Sequence, residues 1–311
     1  MMDIFDEKAI KPMLISEMKD PFNSLDYIYE LKLDGLRCIA YLEATSTELR
    51  NKRDMKLLPK FPELSEIHKN CKVKCILDGE LIVLTNGSPD FYELQRRTML
   101  TDPFKIRLAI SKFPASFVAY DIIYYEDRVV NDLPLMERKS LLANAFTETN
   151  QLSISRYIEE KGIELFQLAK QQNLEGIVAK RKDSKYWFGK NTKDWIKCKI
   201  MQDDDFVICG YILKQNNMTS LVIGQYRGTE LVYKGHVTLG ASLNILNRYR
   251  YTVIPNSPFL ETPRGNEDAV WLNPELVCIV ESMPNDRDAM RQPVLKGIRE
   301  DKLAMECQVK E

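Results

Sequence analysis

The sequence predicts an α+β protein: a larger mixed domain built on antiparallel sheets, then a smaller domain made almost entirely of strands. Three observations lead there. Residues 27–84 alternate apolar and polar side chains over short runs, which is the period of strands. Helical spacing appears between strands at irregular intervals, without the regular β-α-β alternation of a parallel sheet. Beyond the polar, acidic segment Met201-Gln202-Asp203-Asp204-Asp205, short strand patterns follow one another.

The elements follow in order. Tyr27–Leu31 and Cys38–Leu42 read as strands on either side of an Asp34-Gly35 turn. A helical stretch at about Phe61–Lys69 interrupts the strands, and Ile76–Leu84 reads as a buried strand pair kinked at Gly79. Phe91–Leu100 and Phe104–Lys112 carry helical spacing. Ser116–Tyr125 is rich in aromatic and β-branched residues and reads as a strand. Leu135–Phe146 and Glu159–Gln172 have the pattern of amphipathic helices, and Glu175–Lys180 and Asp194–Ile200 that of strands. The segment Met201–Asp205 is short, polar and acidic, as a hinge would be. Strands are then expected at Phe206–Lys214, Ser220–Tyr226 and Glu230–Val237, separated by Asn216-Asn217 and Arg227-Gly228-Thr229. A helix at about Ser242–Arg250, a stretch with Pro255, Pro258 and Pro263, and a strand at Glu275–Ser282 complete the pattern. Strands plus one helix over roughly a hundred residues suggest a small β-barrel such as an OB-fold.

Composition narrows the class. A chain of 311 residues with 44% hydrophobic and 29% charged residues is that of a soluble globular protein of two domains. No apolar run approaches the roughly 20 residues that span a bilayer, and the acidic start Met-Met-Asp-Ile-Phe-Asp-Glu lacks a signal-peptide core. No membrane role is expected, and the expected compartment is the cytoplasm. Of the seven cysteines only Cys71 and Cys75 are close, and no second Cys/His pair completes a zinc site, so reduced core thiols are expected. His68 and His236 stand alone, which argues against a catalytic triad or a His-rich metal site. The net charge of −1 hides an uneven distribution: Lys180 to Lys199 holds eight basic residues and two acidic ones. That stretch fits either a solvated strand pair or a phosphate-tracking surface.

Chemistry concentrates at residues 30–37, Glu-Leu-Lys-Leu-Asp-Gly-Leu-Arg. Lys32, Asp34, Gly35 and Arg37 form a K-x-D-G-x-R string between two strands, with the lysine at a strand end beside a tight turn. An amine attacks only when deprotonated, so a nucleophilic lysine there requires desolvation or neighbouring cations. Lys197 and Lys199, two apart on a strand, point to one face. Glu80 and Glu175 are carboxylates in otherwise apolar strands, where an unpaired charge is costly; a divalent metal, a ribose hydroxyl or a salt bridge to a neighbouring lysine or arginine would satisfy them.

With these strings in view, the chain resembles the covalent nucleotidyltransferase superfamily and, within it, the ATP-dependent DNA ligases, above all the compact ligase module of bacterial end-joining ligases. The motifs occur in that family's order: Pro12-Met13-Leu14 and Pro21-Phe22, then Tyr29 to Arg37, Arg50-Asn51, Asp78-Gly79-Glu80, Phe117-Val118-Ala119-Tyr120-Asp121, Glu175-Gly176-Ile177-Val178-Ala179-Lys180, Trp195-Ile196-Lys197-Cys198-Lys199 and finally Arg291 to Lys302. The likeness covers essentially the whole chain.

The resemblance implies an adenylation domain at 1–202 and an OB-fold domain at 203–311. It implies Lys32 as the catalytic nucleophile that takes AMP from ATP, and an ATP site drawing on Glu30, Arg37, Arg50, Glu80, Tyr120, Lys180, Lys197, Lys199, Arg299 and Lys302. Glu175 and Glu80 are the implied ligands of Mg²⁺ (or Mn²⁺), while Asp34, Gly35 and Asp78 are the structural part of the motifs. In the family Glu30 lies in the neighbourhood that recognises adenine, Tyr120 stacks on it, Lys197 and Lys199 grip the α-phosphate, and Arg37 and Arg50 hold ribose or nick phosphates. The end motif with Arg299, Asp301 and Lys302 orients pyrophosphate. The implied partner is nicked or broken duplex DNA, engaged by a monomer near the nucleoid, with a DNA-end-binding protein as a candidate recruiter. An RNA ligase or an mRNA-capping guanylyltransferase shares the lysine motif and is the alternative; Lys296-Gly297-Ile298-Arg299 looks like the bacterial DNA-ligase module instead. Two departures stand out: Lys190 lies where family members often carry arginine, and Ile15 follows Pro-Met-Leu in place of the usual alanine. The expectation is also of a chain with neither a separate DNA-encircling domain before the lysine motif nor a zinc module after the barrel.

Overall fold

The computed structural model describes residues 3–214, 218–239, 246, 248–283 and 290–309. The chain divides into two compact units, Met1–Lys199 and Ile200–Glu311.

The first unit runs α1 (Ile4–Glu7), β1 (Leu14–Met18), β2 (Tyr27–Leu31), β3 (Leu36–Glu43), β4 (Ser46–Asn51), β5 (Cys75–Thr85), β6 (Ser88–Pro89), α2 (Phe91–Met99), α3 (Pro103–Lys112), β7 (Ala115–Tyr125), β8 (Arg128–Val129), α4 (Leu135–Ala145), β9 (Leu152–Ile154), β10 (Tyr157–Glu159), α5 (Gly162–Gln171), β11 (Gly176–Arg181) and β12 (Asn191–Lys199). Two sheets result. One has the order β1-β12-β11-β2-β10; the other has the order β4-β3-β5-β7-β8, with β6 on β5 and β9 on β7. Most pairings are antiparallel, β1–β12 and β7–β9 being parallel. Strand β3 is apolar on both faces because it serves two cores. Cys38, Ala40 and Leu42 join Leu77, Phe117 and Leu142 on one side. Ile39 and Tyr41 join Ile28, Ile123, Tyr186 and Trp195 on the other. Alternation along the strand divides the residues between them. The helices α2 and α3 start at aspartate caps: Asp90 accepts from the Glu93 amide at 2.9 Å and Asp102 from the Phe104 amide at 2.8 Å.

The second unit holds β13 (Gln202–Lys214), β14 (Met218–Arg227), β15 (Glu230–Thr238), β16 (Val270–Trp271), β17 (Val277–Met283) and β18 (Arg291–Arg299). The order is β15-β14-β13-β17-β18, with β16 on β13. The end strands β15 and β18 also approach each other, so the sheet curls around Phe206, Ile208, Leu221, Ile223, Val237, Cys278 and Val280 as an OB-like barrel.

Several expectations change. The stretch at Phe61–Lys69 forms two 3₁₀ turns, Pro62–Leu64 and Ile67–Asn70, rather than one helix. Buried Phe61, Leu64 and Ile67 recur every three residues, the 3₁₀ period. Ile76–Leu84 lies within one continuous strand, and the kink at Gly79 is a bulge in its pairing with β7. Glu159 belongs to β10; Glu160, at φ 66°, breaks the chain before α5 begins at Gly162. The acidic segment read as a hinge is extended: Gln202 to Asp205 open β13 and pair with Ser282 to Ile279 of β17. Arg291–Arg299, read only as a motif, is a strand whose exposure alternates. The helix expected at Ser242–Arg250 lies largely outside the described residues, as does the Asn216-Asn217 turn.

Candidate active site

Three neighbouring strands of the first sheet build the site. Val178 of β11 pairs with Glu30 of β2 and Lys197 of β12; two residues along, Gly176 pairs with Lys199 and the Lys32 amide donates to the Gly176 carbonyl at 2.8 Å. Two residues the other way, Lys180 pairs with Ile28 and Trp195. Residues paired across strands share a face, so Glu30, Lys32, Lys180, Trp195, Lys197 and Lys199 all lie on one side of the sheet.

The Lys32 amine donates to Glu175 Oε2 at 2.6 Å, and Lys199 reaches Oε1 of the same carboxylate at 3.3 Å. Glu175 stands just before β11, and the following Gly176 has φ 134°, where a Cβ would lie 2.2 Å from the Cys198 carbonyl oxygen. Glycine alone allows β12 this close to the carboxylate. Burial lowers the pKa of Lys199, with Lys32 and Lys197 acting in the same direction and Glu175 opposing. Lys197 has no ion-pair partner among the described residues.

The second sheet supplies the opposing carboxylates. Arg37 of β3 pairs with Glu80 of β5, and its guanidinium forks onto buried Asp78, with Nε to Oδ1 at 3.0 Å and Nη2 to Oδ2 at 2.6 Å. Tyr186 donates to the same Asp78 at 2.7 Å. Gly35 packs so tightly that a Cβ would lie 2.4 Å from the Leu81 carbonyl oxygen and 2.7 Å from Glu80 Cγ, which fixes the turn after Lys32 against β5. Burial pushes the Glu80 carboxyl up to about 8; Asp78 and Glu175 push the same way, against Lys32 and Arg37.

Tyr120 is the extra residue of the β7 bulge: Asp121 pairs with Asp78 and Ala119 with Gly79, leaving Tyr120 unpaired between them. Its ring meets Trp195 edge to face at 6.1 Å, with the Lys180 ammonium 4.4 Å from the ring centre. Lys180 is buried and bonds Glu30 Oε2 at 3.1 Å. Burial brings its pKa down to about 8, aided by Lys139 and opposed by Glu30. Glu30 also accepts from Lys139 of α4 at 2.5 Å, and Lys139 caps the Tyr120 carbonyl at 2.8 Å. Burial alone would raise Glu30, yet the two lysines outweigh it and hold the carboxyl below its ordinary range.

The structure thus gathers Lys32, Glu30, Arg37, Glu80, Tyr120, Glu175, Lys180, Lys197 and Lys199, with Asp78 and Gly35 as their supports. Asp34 sits in the turn beside Gly35. Arg50 of β4 turns instead to Glu48 at 2.5 Å and Asp54 at 2.7 Å. Arg299 and Lys302 belong to the second unit, where both bond Asp205, at 2.9 and 2.7 Å. The basic stretch 180–199 is mostly neutralised: Lys180, Arg181, Lys182, Lys185 and Lys199 are ion-paired, whereas Lys190, Lys193 and Lys197 have no ion-pair partner among the described residues. Sequence reasoning missed Arg138 and Lys139 of α4. Arg138 is fully buried and forks onto Asp121 at 2.8 Å through both nitrogens. The missed signal was position: both residues fall on the stripe marked by Leu135, Leu142 and Ala145, where a helix faces the core. No group of three or more His, Cys, Asp or Glu side chains suited to a metal occurs among the described residues.

Comparison with known proteins identifies the family. The family model for the ATP dependent DNA ligase domain matches residues 12–199, and that for the ATP dependent DNA ligase C terminal region matches residues 214–302. The chain is 32% identical over 209 residues to the SPbeta prophage-derived DNA ligase-like protein LigB of Bacillus subtilis, covering 66% of this chain and 73% of that protein. It is 30% identical over 314 residues to the multifunctional non-homologous end joining protein LigD of Pseudomonas aeruginosa, covering 96% of this chain but 36% of that protein. The chain therefore spans little more than a third of this larger relative. Among solved structures, mycobacterial DNA ligase D complexed with ATP and MES matches with a TM-score of 0.58 at 24% identity, covering 98% of this chain and 99% of that one, a likeness of fold. With both family models matched in order and the first covering more than half of the sequence, the chain belongs to the ATP-dependent DNA ligase family.

Proposed function

We propose that this protein seals breaks in duplex DNA that carry a 5′-phosphate and a 3′-hydroxyl, using ATP and a covalent lysyl-adenylate. The observation that carries the reading is the position of Lys32. It closes a row of cations (Lys32, Lys197, Lys199) on one sheet face and is ion-paired to Glu175. In the first step the Lys32 amine, having released its proton, attacks the α-phosphate of ATP; the Nζ–P bond forms and pyrophosphate leaves. AMP then passes to the 5′-phosphate at the break, and the 3′-hydroxyl displaces AMP to join the strands. Splitting one poor displacement into easier ones is the gain of covalent catalysis. Lys197 and Lys199 stabilise charge on the transferring phosphoryl group. Tyr120 stacks on adenine, and Glu30, kept anionic by Lys139 and Lys180, accepts from the exocyclic amine. Arg37 braces the site through Asp78, and its remaining donors serve ribose or phosphate, as do those of Arg50.

The donor set fits Mg²⁺ or Mn²⁺, because Mg²⁺ is commonly held by one or two carboxylates together with substrate phosphates and water. Glu175 and Glu80 would hold the ion, which when bound neutralises phosphate charge. A DNA-end-binding recruiter, action as a monomer and a location at the nucleoid complete the proposal. The end-joining names of the LigD relatives support the recruiter alone. No helix among the described residues is long and apolar enough to cross a membrane. Both family models are of DNA ligases, which favours DNA over the RNA-ligase and capping alternatives. The test is sealing of a defined nick by wild type and Lys32→Ala with ATP and Mg²⁺, alongside labelling by ATP and by GTP. Sealing by wild type alone, with labelling by ATP, is expected; a GTP-only adduct would sink the reading.

A further inference from the structure

The two cations of the end motif are not independent. Asp205 lies four residues into β13, locked by pairing with Ile279 of β17 and by a hydrogen bond from Gln225 Nε2 to its carbonyl at 3.0 Å. One oxygen of its carboxylate, Oδ2, accepts from Arg299 Nη1 at 2.9 Å and from Lys302 Nζ at 2.7 Å. The other edge of Arg299 forks onto Asp301, with Nε to Oδ1 at 2.9 Å and Nη2 to Oδ2 at 2.6 Å. Asp205 is the sheltered member of the cluster, its side chain 17% exposed against 70% for Asp301. Beside the cluster a cavity of about 720 Å³ has Arg299, Lys302, Arg248 and Arg250 in its lining, with Glu275 and Glu300 as its acidic members; Arg248 and Arg250 have no ion-pair partner among the described residues.

Charge and donor count bear on what this arrangement can do. Alone, a guanidinium and an ammonium on long side chains repel each other and sample many rotamers. A shared carboxylate oxygen draws both heads together and fixes their spacing. Of the donors, two guanidinium N–H groups and two ammonium N–H groups are left over after these bonds. Four donors on two side chains tied to one carboxylate oxygen suit a compact polyanion with several terminal oxygens.

We propose that Asp205 is a positioning residue that assembles Arg299 and Lys302 into a single receptor for pyrophosphate, the group expelled when the Lys32 Nζ–Pα bond forms and the Pα–O bond breaks. This rests on the reading of Arg299 and Lys302 as the pyrophosphate-orienting end motif. Asp205 itself touches neither nucleotide nor DNA; it acts through the two cations.

The steps of ligation separate this role from a structural one, because closing a pre-adenylylated nick involves no pyrophosphate. The experiment uses the full chain as wild type, Asp205→Asn, Asp205→Glu and Arg299→Ala. It measures the rate of lysyl-adenylate formation, reversal of the adenylate by inorganic pyrophosphate, closure of a pre-adenylylated nick, and Tm. With Asp205→Asn, adenylylation and its reversal should fall at least tenfold and up to on the order of 100-fold, the cost of misplacing a reacting group by about an ångström. The KM for pyrophosphate should rise, while closure of the pre-adenylylated nick and Tm stay close to wild type. Asp205→Glu, which keeps the charge, should recover at least part of the lost pyrophosphate use. The proposal is overturned if Asp205→Asn behaves as wild type, if all steps fall together with Tm, or if Asp205→Glu recovers nothing. If Arg299→Ala slows adenylylation but Asp205→Asn does not, this proposal alone fails. If Arg299→Ala leaves adenylylation unchanged, the end-motif reading fails and takes this proposal with it.

Discussion

The Lys32 amine donates to Glu175 Oε2 at 2.6 Å, and the proposed function gives that carboxylate two duties. It orders the amine, and in the proposed reaction it would also hold a metal on the phosphates. Glu175→Gln keeps the shape and an acceptor but removes the charge. Adenylylation at saturating ATP and Mg²⁺ should fall on the order of 100-fold, the scale of losing one electrostatic partner at a transferring group; gel labelling reads it directly. Glu80 makes a prediction about pH. Its folded pKa is about 8 against an ordinary 4.5. Between these values the folded state holds a proton that the unfolded state has lost, so stability falls as pH rises through that window. Glu80→Gln cannot ionise, and its Tm in the absence of nucleotide should drop less from pH 5 to pH 8 than that of wild type. An equal drop in both proteins would contradict the assignment. Residue chemistry was legible where spacing carries it: Lys197 and Lys199 two apart, and Glu30 two before Lys32. It was not legible where a long side chain crosses the core. Nothing in local spacing tells that Lys139 reaches Glu30, 109 residues away in the chain.

At the scale of elements, the bulge in β7 matters most. A regular ladder would pair every residue of Ala115–Tyr125 with β5; the slip at Asp78/Gly79 frees Tyr120 from the ladder and leaves its ring against Trp195 and Lys180. Tyr120→Ala should raise the KM for ATP in adenylylation roughly 2- to 10-fold, the worth of an aromatic contact, with little change in kcat; steady-state adenylylation checks this. The strand character of Ser116–Tyr125 was readable from its β-branched and aromatic residues, but the bulge was read as a kink at Gly79, on the partner strand. A bulge is a relation between two strands, and one strand's sequence carries only half of it. The same limit explains Gln202–Asp205. Three aspartates in a row look like solvated linker, yet Asp205 is neutralised by cations near the other end of the unit, and the segment extends into β13. Phe61–Lys69 shows the opposite case, where the apolar spacing of three was present and pointed to 3₁₀ turns.

For the whole molecule, the even balance of 44 basic and 45 acidic residues leaves DNA binding to local charge. Five of the eight cations of the basic stretch 180–199 are held in internal ion pairs, so DNA binding would draw on cations without such partners. Phosphate-dominated binding then requires that log affinity for a nicked duplex fall linearly with log salt, by about 0.9 per phosphate contact. Titrations across salt concentrations test this, and salt-insensitive binding would contradict it. The two-part plan and the motif order were readable from the sequence because each motif sits at a strand end or on an alternating face. The measurement that bears most directly on the account is mass spectrometry of the purified chain after exposure to ATP and Mg²⁺, with the modified residue mapped. The account predicts one AMP carried on Lys32 and none in Lys32→Ala; a chain that never gains AMP at that position, or gains it elsewhere, contradicts it.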